Sequence, residues 1–257
     1  MSNGQPKLRG HSKQRNGPYP LGEFPPSIVT AIGRQLVHRM AVGQADITGD
    51  DFGTIFASAI SGDHRGKPLG IADVSHENCA WSVKTVKADQ PFTQTPIRVI
   101  SGRNSPAYSK GIKTATADVQ ATGRAVLEVW NRRIDMALSE FDDLRVLIMV
   151  RNMSTLQFTL FEHEAHRFIP TEYLWEINAN ENFEGFSTLT KEHVFTWQPH
   201  GSQFTVIHTL PSSCYRFRIK KRPLLIEAKH VLNLVKFEDD WIIPMNPSAG
   251  AACASGK

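Results

Sequence analysis

The sequence predicts an α/β fold, a mixed central β-sheet flanked by helices, on three observations. Two helix-period segments, 27–41 and 48–59, precede any strong strand; a longer one, 118–140, runs directly into the apolar stretch 145–151; and segments rich in β-branched and aromatic residues alternate with turn residues through the second half. Elements in that order pack as layers around one mixed sheet.

Ser27 is expected to cap the first helix, with Ile28, Ile32, Leu36 and Val37 on one face. Thr48 is expected to cap the second, whose apolar stripe is Phe52, Ile55, Phe56 and Ala59. Residues 68–74 and 79–86, separated by Ser-His-Glu-Asn, are expected to form two strands joined by a short turn. Val119, Ala125, Val126, Val129, Trp130, Ile134 and Leu138 are spaced for a long amphipathic helix, and the almost wholly apolar 145–151 for a strand buried on both faces. The turn 152–155 leads to a hairpin partner over 156–164, and 193–210 holds two strands around Pro199-His200-Gly201.

A chain of 257 residues with 40% hydrophobic and 21% charged residues can bury a substantial core, and no apolar run approaches the 18 or so residues that span a bilayer. Residues 1–26, rich in Gly, Pro, Asn and Lys, are expected to be a flexible basic arm; 27–246 a single domain; and 247–257 a flexible tail. The polar N-terminus is no secretory signal, so a cytoplasmic location and no membrane contact are expected. Cys79, Cys214 and Cys253 are odd in number and far apart, which indicates neither a disulfide framework nor a zinc knuckle. A net charge of +4, clustered in 7–15, 98–113 and 215–222, suits a polyanionic partner.

The chemistry concentrates in Gly70-Ile71-Ala72-Asp73-Val74 and Trp81-Ser82-Val83-Lys84-Thr85. In a strand Ser82 and Lys84 share one face and Val83 and Thr85 the other, so Lys84 is a cation set among apolar neighbours. Its desolvation is tolerable only opposite a charge partner, a metal-bound anion or a phosphate, and Asp73 on the neighbouring strand can be that partner.

With these residues the chain resembles the PD-(D/E)xK nuclease superfamily, in which an acid, a second acid and a lysine two places on lie across adjacent strands. Asp73 matches the first acid and Lys84 the lysine, while Ser82 stands where the second acid belongs. With Ile100-Ser101-Gly102-Arg103-Asn104-Ser105-Pro106 the pattern is similar to type II restriction endonucleases carrying a Ser-x-Lys variant of the motif. The resemblance implies a magnesium-dependent, sequence-specific endonuclease acting on double-stranded DNA as a homodimer, without a nucleotide cofactor. It implies catalytic roles for Asp73, Ser82 and Lys84, with magnesium held by Asp73 and a compensating acid: Asp50 or Asp51 first, Glu77 second, Glu128 after them. A repair or nicking nuclease of the same core, or a DNA-binding module with a decayed site, are the rival readings.

Arg103 and Asn104 in this segment are expected to face DNA, as are Gln198, His200 and Gln203 around the hairpin tip, where Gln can read adenine. Arg216, Arg218 and Lys220 alternate with Tyr215, Phe217 and Ile219, giving either a phosphate-binding ladder or an ordinary edge strand. Glu162, His163, Glu164 and His166 lack the H-E-x-x-H spacing of a zinc site, and 62–67 falls one residue short of a phosphate-binding loop. Arg124, Glu128, Arg132 and Asp135 are spaced as ion pairs on a helix surface.

Overall fold

The computed structural model describes residues 17–66, 70–243 and 245. The expected arm up to 16 and the tail from 247 lie outside the described residues. Among the described residues no helix is long and apolar enough to cross a membrane.

The chain opens with α1 (Pro26–Ala41) and α2 (Gly49–Ile60). Pro26 occupies the first turn of α1, where its missing N–H leaves no bond unmade, and Pro25 takes the N-cap position expected for Ser27. Thr48 caps α2 as expected: its hydroxyl accepts from the Asp51 N–H while the Asp51 carboxylate accepts from the Thr48 N–H, a reciprocal capping box. The short β1 (Asp63–His64), β2 (Val74–His76), β3 (Cys79–Lys87) and β4 (Ile97–Arg103) follow, then the one-turn α3 (Pro106–Lys110). Next come the long α4 (Val119–Leu138), capped by Asp118, and the hairpin of β5 (Asp143–Asn152) and β6 (Gln157–Glu164). Strands β7 (Tyr173–Ile177), β8 (Phe183–Ser187), β9 (His193–Gln198), β10 (Gln203–His208) and β11 (Tyr215–Arg218) precede α5 (Ala228–Leu234).

The fold is α/β, but with two sheets where a single one was expected. The first is mixed and six-stranded, in the order β1-β2-β3-β5-β6-β11, with β3 and β5 parallel at its centre; the second is antiparallel, in the order β4-β10-β9-β8-β7. The central strand β5 is buried on both faces, as its run of apolar residues requires. One face packs Leu147 and Met149 against Ile32, Leu36, Phe52 and Phe56 of α1 and α2. The other packs Val146 and Ile148 toward α4 and the inner face of the second sheet, which contributes Trp175, Phe195 and Phe204. Helix and second sheet approach closely because position 123 is glycine: a Cβ there would lie 2.2 Å from the Trp175 ring.

The arm boundary is also corrected. Tyr19 and Phe24 are buried against Trp81, so the fold begins before the Pro25-Pro26 pair. A buried ionic network anchors this segment. Glu162 accepts from Tyr19 Oη (3.1 Å), Trp81 Nε1 (3.1 Å), the Gly22 N–H (2.9 Å) and Arg145 Nη1 (3.0 Å), and Arg145 also pairs with Asp143 (2.8 Å). At the other end, α5 buries no residue at all, so the C-terminal part of the expected domain does not join the core.

Candidate functional site

Asp73 sits where β2 begins. Its N–H donates to the Trp81 carbonyl (2.8 Å) and its carbonyl accepts from the Arg65 N–H (2.9 Å), so its backbone continues the β-pairing while its side chain reaches across to β3. All the side-chain bonds fall on one oxygen: Oδ2 accepts from the Val83 N–H (2.9 Å), Lys84 Nζ (2.7 Å) and Ser82 Oγ (3.3 Å). The carboxylate thus takes the backbone donor of Val83 and the ammonium of the next residue together. Ser82 and Lys84 share a face of β3, with Lys84 beside Ile148 of β5, while Trp81 and Val83 turn to the α1–α2 side. The structure therefore brings together the three residues expected to be catalytic.

The pair opens on a cleft of about 310 Å³, lined by Asp50 at the start of α2, His64, Arg65 and Gly66 around β1, Lys84, and Ile100 of β4. The acids expected to complete the site separate here. Asp50 lines the cleft, its Oδ1 3.5 Å from His64 Nε2. Asp51 points into its own capping box, with Arg39 and Gln44 on the same carboxylate; burial pushes its pKa up, but those hydrogen bonds and the Arg39 charge together hold it below the usual range. Glu77 sits in the β2–β3 turn with φ 49°, at the other end of the hairpin from Lys84, roughly 10 Å or more along the strands, and Glu128 pairs with Lys110 on an exposed helix face. Of these acids Asp50, not Asp51 or Glu77, lines the same cleft as Asp73.

A second cation is present that the sequence reading passed over. Arg133 of α4 is half-buried; desolvation lowers its pKa, and the attraction of Asp73 opposes that. Its Nη1 donates to Asn104 Oδ1 (3.4 Å), and Gly102 makes room for it: a Cβ at 102 would lie 1.8 Å from Nη1, and φ of +148° there favours glycine as well. The signal was legible, since Arg133 falls three residues after Trp130 and four before Ala137, on the buried stripe of α4.

Among the residues expected to face DNA, Asn104 is a correction. It is fully buried, its amide donating to the Val126 carbonyl (3.0 Å) and its own carbonyl accepting from Trp197 Nε1 (2.8 Å), so it locks α4 to the second sheet. Gln198, Gln203 and Arg103 stand directly opposite one another on three adjacent strands. With Ile100, Thr205 and Thr196 they form the outer face of the second sheet, and Ile100 also lines the cleft. Arg98, opposite Ile207, shares that face and donates to Thr196 Oγ1 (3.3 Å). His200 is exposed at the hairpin tip. The basic ladder lies elsewhere: β11 pairs with β6 at the far edge of the mixed sheet, three strand spacings or roughly 14 Å from β3, and Lys220 falls beyond its end. Arg216 and Arg218 project to solvent as expected, but Arg216 is tied to the Phe92 carbonyl (3.0 Å).

Among the described residues no group of three or more His, Cys, Asp or Glu is arranged to hold a metal ion. His163, His166 and His208 do gather around a separate apolar pocket of about 390 Å³. Burial, reinforced by the neighbouring imidazoles, pushes His208 down to about 3, and His163 shifts in the same direction. Their folded-state pKa values lie below the unfolded value of about 6.5, so the unfolded chain binds more protons between the two. Stability is full above pH 6.5 and is lost as pH falls toward 3. Replacing His208 with Phe is expected to remove part of that slope in urea melts at pH 7 and pH 5; an unchanged slope would mean that His208 does not carry it.

Comparison with protein-family models, curated proteins and solved structures finds no match to this chain.

Proposed function

We propose that this chain is a DNA endonuclease of the PD-(D/E)xK kind, cutting double-stranded DNA at a specific sequence. The observation that carries the reading is the 2.7 Å pair of Lys84 and Asp73 in a cleft that shares Ile100 with the Arg98, Arg103, Gln198 and Gln203 face. Lys84 supplies a cation next to a phosphate entering the cleft, and Asp73 a carboxylate whose position is fixed from three directions. Ser82, in the place of the second acid, acts as a donor that orients Asp73. Arg133 adds positive potential acting on that carboxylate.

Two carboxylates, Asp73 and Asp50, line the cleft, the number that magnesium needs besides the substrate phosphate when it keeps most of its waters. Asp73 and Asp50 would hold it. When bound, such an ion polarises the phosphate and lowers the pKa of water.

Incubating the protein with phage DNA and magnesium tests the reading. Discrete fragments support it; nicked circles would point to a single-strand nuclease of the same core, and a mobility shift without cutting to a binding module. On the outer sheet face, Gln198→Ala or Gln203→Ala is expected to relax discrimination at one base pair by roughly 1–3 kcal/mol. Arg98→Ala or Arg103→Ala should instead weaken binding to cognate and scrambled duplexes alike, lowering the log-log salt slope by about one. Unchanged affinity, slope and specificity in all four variants would place DNA elsewhere.

A further inference from the structure

Beyond Lys220 the chain leaves the body and becomes strongly apolar without being covered. Leu224, Leu225, Leu234, Trp241, Ile242 and Ile243 are all exposed, Leu224 by 90% and Leu234 by 82%, and α5 has no buried residue. The segment is tethered at its start: Arg222 donates to the Met153 carbonyl and the Ile226 N–H to the Ala41 carbonyl (2.8 Å). Soluble monomers rarely leave so many large apolar side chains together in water.

A matching surface exists on the same chain. Val29, Gly33 and Val37 of α1 and Tyr215, Phe217 and Ile219 in and after β11 line an open groove of about 500 Å³. Its two charged lining residues are Arg34 and Arg218, while the arm carries Glu238, Asp239 and Asp240 directly before Trp241. Apolar character and charge are thus complementary between groove and arm. The arm does not fill the groove of its own chain, since its apolar residues are exposed, and its tether at Ala41 lies one helical turn past Val37, the last helix residue of the groove.

We propose that residues 224–243 of one copy dock in the α1–β11 groove of a second copy, giving a two-fold dimer with exchanged arms. Trp241 and its apolar neighbours enter the groove, and the acidic cluster 238–240 meets Arg34 and Arg218. A two-fold axis makes the contact twice, so each weak arm–groove contact is doubled.

Light scattering of the full-length chain over a hundredfold range of concentration tests this. A dimer is expected. Gly33→Glu fills the groove without disturbing the fold, since a Cβ at position 33 meets nothing within 4 Å. The Leu234→Asp, Trp241→Asp double variant disables the arm, and neither of its residues is buried. Each variant should raise the dimer dissociation constant at least tenfold, with the thermal midpoint unchanged at concentrations low enough for wild type and variant alike to be monomeric. An equimolar mixture of the two should recover a heterodimer, because one arm–groove pair then remains intact. A monomeric wild type, a dimer that survives both variants, or a mixture that restores nothing would overturn the proposal. Mass is measured without DNA, so this failure and a failure to cut are separate results.

Discussion

Asp73→Asn and Lys84→Ala are each expected to reduce DNA cleavage by about 10²–10³-fold or more, while binding measured with calcium in place of magnesium persists. Removing one preorganised electrostatic group from a reacting centre has effects of this size. The change should not be one of folding. The side chains are 21% and 25% exposed, so losing their mutual attraction costs on the order of 1 kcal/mol after solvent screening. In Asp73→Asn the amide oxygen can still accept from the Val83 N–H, which holds the β2–β3 junction. Plasmid cleavage time courses, read beside thermal midpoints, separate the two effects. Near-normal cutting by either variant would overturn the catalytic assignment.

The largest stability effect is expected at Glu162, far from the cleft. Its side chain is fully buried, and so, nearly, is that of Arg145. Burial raises the Glu162 carboxyl above its usual range, while the Gly22 N–H, Arg145, Trp81 and Tyr19 all act to favour its carboxylate. Truncation to alanine removes the acceptor for all four and leaves Arg145 with Asp143 and the Tyr19 carbonyl (3.1 Å). The expected loss is about 3–5 kcal/mol, a drop on the order of 10 °C in thermal midpoint for a chain of this size. Breaking the exposed Lys110–Glu128 pair, whose side chains are 47% and 46% exposed, should cost at most about 1 kcal/mol. If Glu162→Ala melts within a few degrees of wild type, the 17–25 segment is held by its aromatic packing and not by the network.

Local signals explain which elements were legible. Thr48 is a short polar side chain that satisfies helix N–H groups, so it announced α2 from the sequence, and the apolar spacing from Val119 to Leu138 announced α4. The β5 run was legible because a strand covered on both faces has no polar alternation to preserve. Strands β7 and β8 were missed since Leu174, Glu176 and Glu184 alternate with only a few core residues, and the turn between them carries no strong hairpin dipeptide. Tyr19 and Phe24 were assigned to a flexible arm because the Gly and Pro around them signal turns, and single aromatic residues show no periodicity.

The same division runs through the candidate site. The sequence by itself determined that Asp73, Ser82 and Lys84 lie at one place, because strand alternation and a short turn fix relative positions over a dozen residues. Tertiary structure alone decided what surrounds them. It brought Asp50 to the cleft and turned Asp51 into its helix cap, although the two are adjacent in the chain and successive helix positions point about 100° apart. It buried Asn104 beneath Trp197, set Arg133 within electrostatic reach of Asp73, and placed the 216–220 ladder at the edge of a different sheet from the Gln198–Gln203 hairpin. Pairings between residues far apart in the chain depend on which strands become neighbours, and strand order is set by packing of whole faces, not by any local pattern.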